Sequence, residues 1–302
     1  MTTQADVIKS PDTDCDELKQ GTKISALTVV KLLGKGTYGS VYQVKDEKEN
    51  MFAMKIEPID SKNKCLAVEA DVLKTISENS RSEHFCKLLN FKEEELFNVL
   101  TMSLVGEDLA TIRSNIPKFS KGCAISVAMQ CLEAIQELHR CFYVHRDIKP
   151  ANFCISAENK RRIVLIDFGM CRKFSMDGRT MRPPRKKVEF IGTVRFAPLS
   201  CHYDTEYSRK DDLESWTYID SIVGRLPWTN FDEVVSVAHM KQVARTSGLN
   251  EMFNGCPREL VLILHYIDSL GYYDNVDYSI IRGLLREALI VNKLVEYPYD
   301  WE

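Results

Sequence analysis

The hydrophobic period of this 302-residue chain changes once, and that change constrains the fold more than any other feature. From 24 to 104 the apolar residues come in short runs, Val29-Val30-Lys31-Leu32-Leu33, Ser40-Val41-Tyr42-Gln43-Val44 and Met51-Phe52-Ala53-Met54-Lys55-Ile56, separated by Gly, Asp or Asn. Runs of this length and punctuation are strand signals. One helical pattern interrupts them: Leu66, Glu69, Leu73 and Ile76 share a face. From about Ser120 the period becomes helical. Ile125, Ala128, Leu132, Ile135 and Leu138 form one stripe that should end near Cys141. Further helices are expected over 212–223, 231–245, 258–270 and 278–291. A small strand-rich part followed by a large helical part predicts a bilobal α+β fold. The expected N-terminal lobe, an antiparallel sheet with one key helix, covers 24–104. The expected C-terminal lobe covers 105–302, with the joint near Val105-Gly106-Glu107. Residues 1–23 read as a flexible leader.

Composition removes several function classes. There are 40 basic and 43 acidic residues, a net charge of −3, so nothing pulls the whole chain toward nucleic acid or an anionic membrane. No apolar run approaches the roughly 18 residues of a membrane helix. The first twenty residues lack the apolar centre of a signal peptide. Ten cysteines run from Cys15 to Cys256 without a Cys-x-x-Cys pair, which suits neither a zinc site nor a disulfide scaffold. They read as reduced, mostly buried thiols. The expectation is a monomer in the cytoplasm, or also the nucleus, with no nucleic acid and no membrane as partner.

Four segments carry chemistry. Gly34-Lys35-Gly36-Thr37-Tyr38-Gly39 lies between two strand-like runs, where glycines let backbone N–H groups approach phosphate oxygens. A dinucleotide loop would open a helix, and here a strand follows. Taken alone, the motif is equally a ligand-free hairpin. Lys55 ends an apolar run and needs a partner if it points inward. Glu69, on the buried stripe of its helix, is the candidate. Without the glycine loop upstream, both would pass as surface charges. The third segment is Tyr143-Val144-His145-Arg146-Asp147-Ile148-Lys149-Pro150-Ala151-Asn152. It offers a base for a hydroxyl proton (Asp147), a cation for a transferring phosphoryl group (Lys149) and an amide able to hold a divalent ion (Asn152). Twenty residues after Asp147, the run Val164-Leu165-Ile166-Asp167-Phe168-Gly169 delivers a carboxylate suited to Mg²⁺ at the end of a buried strand.

Together these residues resemble a eukaryotic protein kinase from Leu33 to nearly the end of the chain. The resemblance implies transfer of the ATP γ-phosphoryl group to Ser or Thr hydroxyls of proteins, with Mg²⁺. Lys149, two residues after Asp147, implies Ser/Thr rather than Tyr. It also implies that Gly34, Gly36 and Gly39 cover the phosphates, and that Leu33, Val41, Ala53, Cys154 and Ile166 sandwich the adenine. Met102 resembles the gatekeeper, and Ser103, Leu104 and Val105 the hinge. More narrowly, Ile191-Gly192-Thr193-Val194-Arg195-Phe196-Ala197 and Asp211-Asp212-Leu213-Glu214-Ser215-Trp216 resemble the casein kinase I superfamily. Most kinases carry Ala-Pro-Glu where this chain has Ala197-Pro198-Leu199. Arg182-Pro183-Pro184-Arg185 and Asp300-Trp301-Glu302 resemble the tau-tubulin kinase branch, and the short chain resembles its expanded nematode members, with no regulatory tail expected.

The family also implies a taste for acidic or pre-phosphorylated sites. The basic cluster that usually follows Leu-Pro-Trp is replaced after Leu226-Pro227-Trp228 by acidic and apolar residues. Arg185, Lys186, Lys187 and Arg195 remain as an anion site, predicting a modest preference. Casein kinases I are generally active without loop phosphorylation, although Arg146 is placed to pair with a phosphate on Ser175 or Thr180. The alternatives are a pseudokinase scaffold and a small-molecule phosphotransferase. The complete set of Lys55, Glu69, Asp147, Asn152 and Asp167 argues against the first, and the Gly192–Arg195 motif against the second.

Overall fold

The computed structural model describes residues 18–36, 39–61, 63–94, 96–219 and 225–302. The expected leader up to residue 17 with Cys15, the loop positions Thr37 and Tyr38, and the end of the helix expected over 212–223 lie outside these residues.

The short apolar runs form antiparallel strands. In chain order they are β1 (Lys23–Ile24), β2 (Leu27–Gly36), β3 (Gly39–Lys45) and β4 (Met51–Pro58), then helix α1 (Cys65–Asn79), β5 (Leu88–Glu93) and β6 (Phe97–Ser103). The sheet order is β1-β2-β3-β4-β6-β5. Period-two alternation sorts its side chains. Tyr42, Val44, Met54, Ile56 and Val99 pack in a core of their own on one face. Val41, Ala53, Leu100 and Met102 belong to the main core, and the register sets Val41 against Lys55 and Ala53 against Met102.

Helix α1 buries Leu66, Glu69, Leu73 and Ile76, the face read from the sequence. Its N-cap, Lys64, offers no capping side chain. Buried Glu57 of β4 does this work, accepting from the N–H groups of Cys65 (2.9 Å) and Leu66 (3.3 Å). The helix that carries Glu69 is thereby tied to the strand that carries Lys55.

After β6 the chain leaves this sheet. β7 (Val105–Asp108) precedes α2 (Leu109–Asn115), α3 (Lys121–Arg140), β8 (Tyr143–Val144), β9 (Phe153–Ser156), β10 (Ile163–Leu165) and β11 (Arg172–Lys173). β7, β9 and β10 make a second sheet in the order β10-β9-β7, and β8 pairs with β11. Leu104 alone separates the two sheet systems. The remaining helices are α4 (Leu199–His202), α5 (Arg209–Thr217), α6 (Val234–Val243), α7 (Leu249–Met252), α8 (Glu259–Asp268) and α9 (Tyr278–Val291). The architecture is the bilobal α+β one. α5 begins three residues before the position the sequence suggested, because Ser208 and Asp211 close a capping box there. Among the described residues no helix is long and apolar enough to cross a membrane. Eight of the nine described cysteines are buried, and burial pushes the Cys65 thiol up to about 11.

Candidate active site

Lys55 projects from the face of β4 opposite Met54 and Ile56. Its Nζ lies 2.6 Å from Glu69 Oε2 and 2.7 Å from Asp167 Oδ1. Burial alone would lower the lysine, but Glu69 and Asp167 outweigh it and hold the ammonium above the ordinary lysine range. Asp167 stays below the usual carboxylate value, since Lys55 overcomes the cost of burial. Glu69, 2% exposed, is instead held above its usual value, because burial and Asp167 outweigh Lys55. Asp167 has φ 66° and ψ 70°, an uncommon backbone for a non-glycine residue. Phe168 anchors it by packing on Phe85 (5.9 Å between rings) and His145 (5.5 Å).

Asp147 sits in the 145–152 segment between β8 and β9. One carboxylate oxygen accepts from Lys149 Nζ at 2.6 Å, and the other from Thr193 Oγ1 at 2.8 Å. Asn152 Nδ2 donates to the Asp147 carbonyl at 2.8 Å. The segment is held from below by Asp212 of α5, which accepts from the N–H groups of His145 (2.7 Å) and Arg146 (2.9 Å). His139 Nε2 meets the same carboxylate at 2.8 Å. Since a carboxylate only accepts, His139 donates Nε2–H there and receives the Tyr278 hydroxyl at Nδ1. Burial lowers His139 below its ordinary value, in keeping with a neutral ring. These contacts hold Arg146 at φ 70°.

A cavity of about 470 Å³ joins the two groups. Its walls include Leu33, Gly36, Gly39, Val41, Ala53, Lys55, Glu69, Met102, Ser103, Leu104, Val105, Asp147, Lys149, Asn152, Ile166 and Asp167. Two expected members are absent from the walls. Cys154 is buried in the middle strand of the second sheet, and Gly34 is paired with Val41 in the β2–β3 ladder. Gly39 must be glycine: it has φ +144°, and a Cβ there would lie 2.0 Å from the Ile56 carbonyl oxygen.

The residues expected to meet an anion are not equivalent. Arg185 is exposed but has an ion-pair partner. One edge of its guanidinium, Nε and Nη2, donates to Glu206 at 2.5 and 2.9 Å, and that glutamate, 1% exposed, also pairs with Arg172 at 3.4 Å. Arg185 thus shares Glu206 with Arg172 and keeps its Nη1 edge toward the exposed side. Arg195 is exposed and gives one N–H to the Thr229 carbonyl (3.0 Å). Lys186 and Lys187 are exposed.

Several contributors carried no legible role. Thr193, Asp212 and Glu214 sit in motifs noted above, but nothing local shows what they touch. Glu57 looks like any strand glutamate. Cys86 and Met170 line the cavity only because distant segments bring them there. The one available signal was the crowding of Asp211, Asp212 and Glu214 into a short helix beside Leu213 and Trp216, since buried carboxylates require partners.

The donor set suits a hard divalent cation. With Asn152 Nδ2 engaged on Asp147, its amide oxygen is the free end, and Asp167 supplies carboxylate oxygen. Among the described residues no group of three or more His, Cys, Asp or Glu could hold a metal unaided. A metal held by Asn152 and Asp167 would thus draw its remaining ligands from phosphate oxygens and water, the usual habit of Mg²⁺.

Residues 27–255 match the model of the protein kinase domain. The chain is 31% identical over 283 residues to a probable serine/threonine-protein kinase of Dictyostelium discoideum, a match covering 91% of this chain and 56% of that protein. It is 30% identical over 285 residues to the serine/threonine-protein kinase spe-6 of Caenorhabditis elegans, covering 91% of this chain and 75% of the relative. A putative casein kinase I of the same nematode is 30% identical over 282 residues, with 90% and 82% covered. The chain spans little more than half the length of the first of these relatives.

Proposed function

Since this chain belongs to the protein kinase family, a family of phosphotransferases, we propose that it transfers the γ-phosphoryl group of ATP to serine and threonine hydroxyls of protein substrates. One observation carries the reading. The Lys55–Glu69–Asp167 pairs and the Asp147–Lys149–Thr193 cluster open onto a single cavity. Lys55 binds the nucleotide phosphates, and Glu69 keeps its ammonium oriented. Asp147 orients the acceptor hydroxyl and takes its proton, while Lys149 offsets negative charge on the group in transit. Asn152 and Asp167 would hold Mg²⁺, which would supply positive charge against the phosphates. Leu33, Val41, Ala53 and Ile166 enclose the adenine, Met102 backs it, and the backbone of Ser103 to Val105 meets its polar edge.

The finer assignment is to the casein kinase I superfamily, in its tau-tubulin kinase-like branch. The Gly192–Arg195 and Asp211–Trp216 motifs support the superfamily, and one nematode relative bears its name. Substrate choice follows in weakened form. Lys186, Lys187 and the uncommitted N–H groups of Arg195 favour acidic or phosphorylated residues upstream of the target, with a smaller share from Arg185, which is already paired with Glu206. The scaffold alternative finds no support, since the relatives are named as kinases.

The test is to incubate the purified chain with Mg-ATP and peptide libraries carrying Ser, Thr or Tyr acceptors. Phosphate should enter Ser and Thr peptides, and Asp147→Asn should abolish it. A folded wild type that labels no peptide would overturn the reading.

A further inference from the structure

Lys241 of α6 is completely buried, and among the described residues no carboxylate lies within ion-pair distance of it, Glu214 acting only from further off. Its Nζ donates to the carbonyls of Val194 (2.9 Å) and Ala197 (2.6 Å) and meets His202 Nε2 at 3.1 Å. The rings of Tyr218 and Trp228 flank it at 5.1 and 5.5 Å. An ammonium buried without a carboxylate is costly, and methionine would fill the same volume without that cost. What the lysine does that methionine cannot is bind two carbonyls of one turn.

That turn lies beside the chemistry. The N–H groups of Phe196 and Ala197 both donate to the Thr193 carbonyl at 2.8 Å, folding 193–197 tightly. Its outward carbonyls are then taken from a neighbouring layer: Val194 and Ala197 by Lys241, and Arg195 by Trp228 Nε1 at 2.8 Å. At its near end Thr193 donates to Asp147 and receives Lys149 (3.1 Å). Gly192, at φ +100°, fits there because a Cβ would come within 2.7 Å of the Arg146 carbonyl oxygen. A chain of direct contacts thus runs from Lys241 through the turn to Asp147.

We propose that Lys241 is a positioning residue for the protein substrate, pinning the 193–197 turn so that it seats the residues flanking the acceptor hydroxyl beside Asp147. The proposal rests on the kinase reading and adds to it a buried cation that touches neither nucleotide nor acceptor. Lys241 contacts no wall of the nucleotide cavity except through this turn. Its loss should therefore separate the two substrates.

The test uses the full chain with Lys241→Met, and with Lys241→Gln, whose amide keeps two donors without the charge. Three readouts are taken: Mg-ATP affinity by calorimetry, steady-state peptide phosphorylation, and hydrogen exchange of the 193–198 amides. The expected result is ATP affinity within about twofold of wild type and peptide kcat/KM lower by about tenfold or more, chiefly through KM. The Phe196 and Ala197 amides should exchange faster, and the Gln variant should lie between Met and wild type. Peptide kcat/KM within twofold of wild type in a folded variant overturns the proposal. So does an equal loss of ATP affinity, which would make the lysine a general structural support. If Lys241→Met does not fold, Lys241→Gln is judged by the same limits. A wild type that phosphorylates nothing sinks the kinase reading instead, and unchanged exchange in the variant would then sink the pin independently.

Discussion

The nucleotide side and the peptide side of the cleft are built differently. On the nucleotide side, charged residues the sequence placed far apart meet one another directly: Lys55 reaches Glu69 and Asp167 within 2.7 Å. On the side proposed to face the peptide, four cations close together in sequence have different surroundings. Arg185 pairs with Glu206 through one edge, Arg195 leans on a carbonyl, and Lys186 and Lys187 are exposed. The difference follows from burial. A buried charge must be matched, so its partner can be sought among other residues that sit on buried faces. An exposed charge has no such requirement, and whether it is free depends on what another segment happens to bring beside it.

The largest effect should come from breaking the nucleotide side. Lys55→Met and Asp167→Asn each remove an electrostatic contact to phosphate or metal and should lower phosphotransfer on the order of 10²-fold or more. Circular dichroism of the variants should remain that of the wild type. Near-normal activity in a folded Asp167→Asn protein would end the assignment of that residue to the metal.

Next in size is the joint between the sides. Gly192→Ala forces a methyl toward the Arg146 carbonyl at a backbone conformation alanine resists, pushing Thr193 away from Asp147. Peptide kcat/KM should drop roughly tenfold or more, with smaller change in ATP affinity. Equal losses for both substrates would mean that the two sides are not separable.

The peptide side itself predicts smaller changes. A double Lys186→Ala, Lys187→Ala variant should lose most of its preference for acidic over neutral upstream residues, a few-fold effect that shrinks with salt. Arg185→Ala should leave most of that preference intact yet destabilise the protein by about 1 kcal/mol, a Tm fall of roughly 2–4 °C, because Glu206 keeps only Arg172. Loss of preference in Arg185→Ala, with stability unchanged, would make Arg185 a main contact of the anion site.

Stability should also report the buried lysine. Burial drives Lys241 from 10.5 to about 7, with Glu214 and Cys201 opposing and Arg245 assisting. A folded value below the unfolded one means that the unfolded chain binds more protons between the two. The associated stability is present above the unfolded value and is lost as pH falls toward about 7. Wild type should therefore gain stability relative to Lys241→Met as pH rises from 7 to 9, measured by urea denaturation. A constant difference over that window would show an unshifted lysine. Smallest of all is the effect expected of phosphatase treatment, which should leave activity unchanged. Glu206 already supplies a carboxylate to Arg172 and Arg185, and Arg146 Nε donates to the Met170 carbonyl at 2.6 Å. Activity lost on dephosphorylation and restored by rephosphorylation of Ser175 or Thr180 would show the opposite.

Much of the fold was legible because periodicity is local. The period-two runs became β2, β3 and β4, and the stripe from Ile125 to Leu138 became α3. The buried position of Glu69 was legible for the same reason, since the spacing of its neighbours sets the face on which it lies. Helix starts were less so. α6 begins at Val234, after the exposed residues 231–233 that share its apparent pattern.

What the sequence determined by itself is the kind of chemistry: a glycine hairpin, Lys55 with a buried carboxylate, and the Asp147 and Asp167 segments, each recognisable because its residues are adjacent. What only the tertiary structure decided is who holds whom. Leu199 stands where most kinases have glutamate, and the carboxylate that meets its N–H comes instead from Glu214 on α5, at 2.8 Å, with Arg245 beside it at 2.9 Å. Asp212 holds the Asp147 segment, Glu206 pairs with Arg185, and Lys241 holds the 193–197 turn. These contacts join residues from 15 to 67 positions apart. Their formation depends on close packing in three dimensions, which periodicity and local motif do not encode.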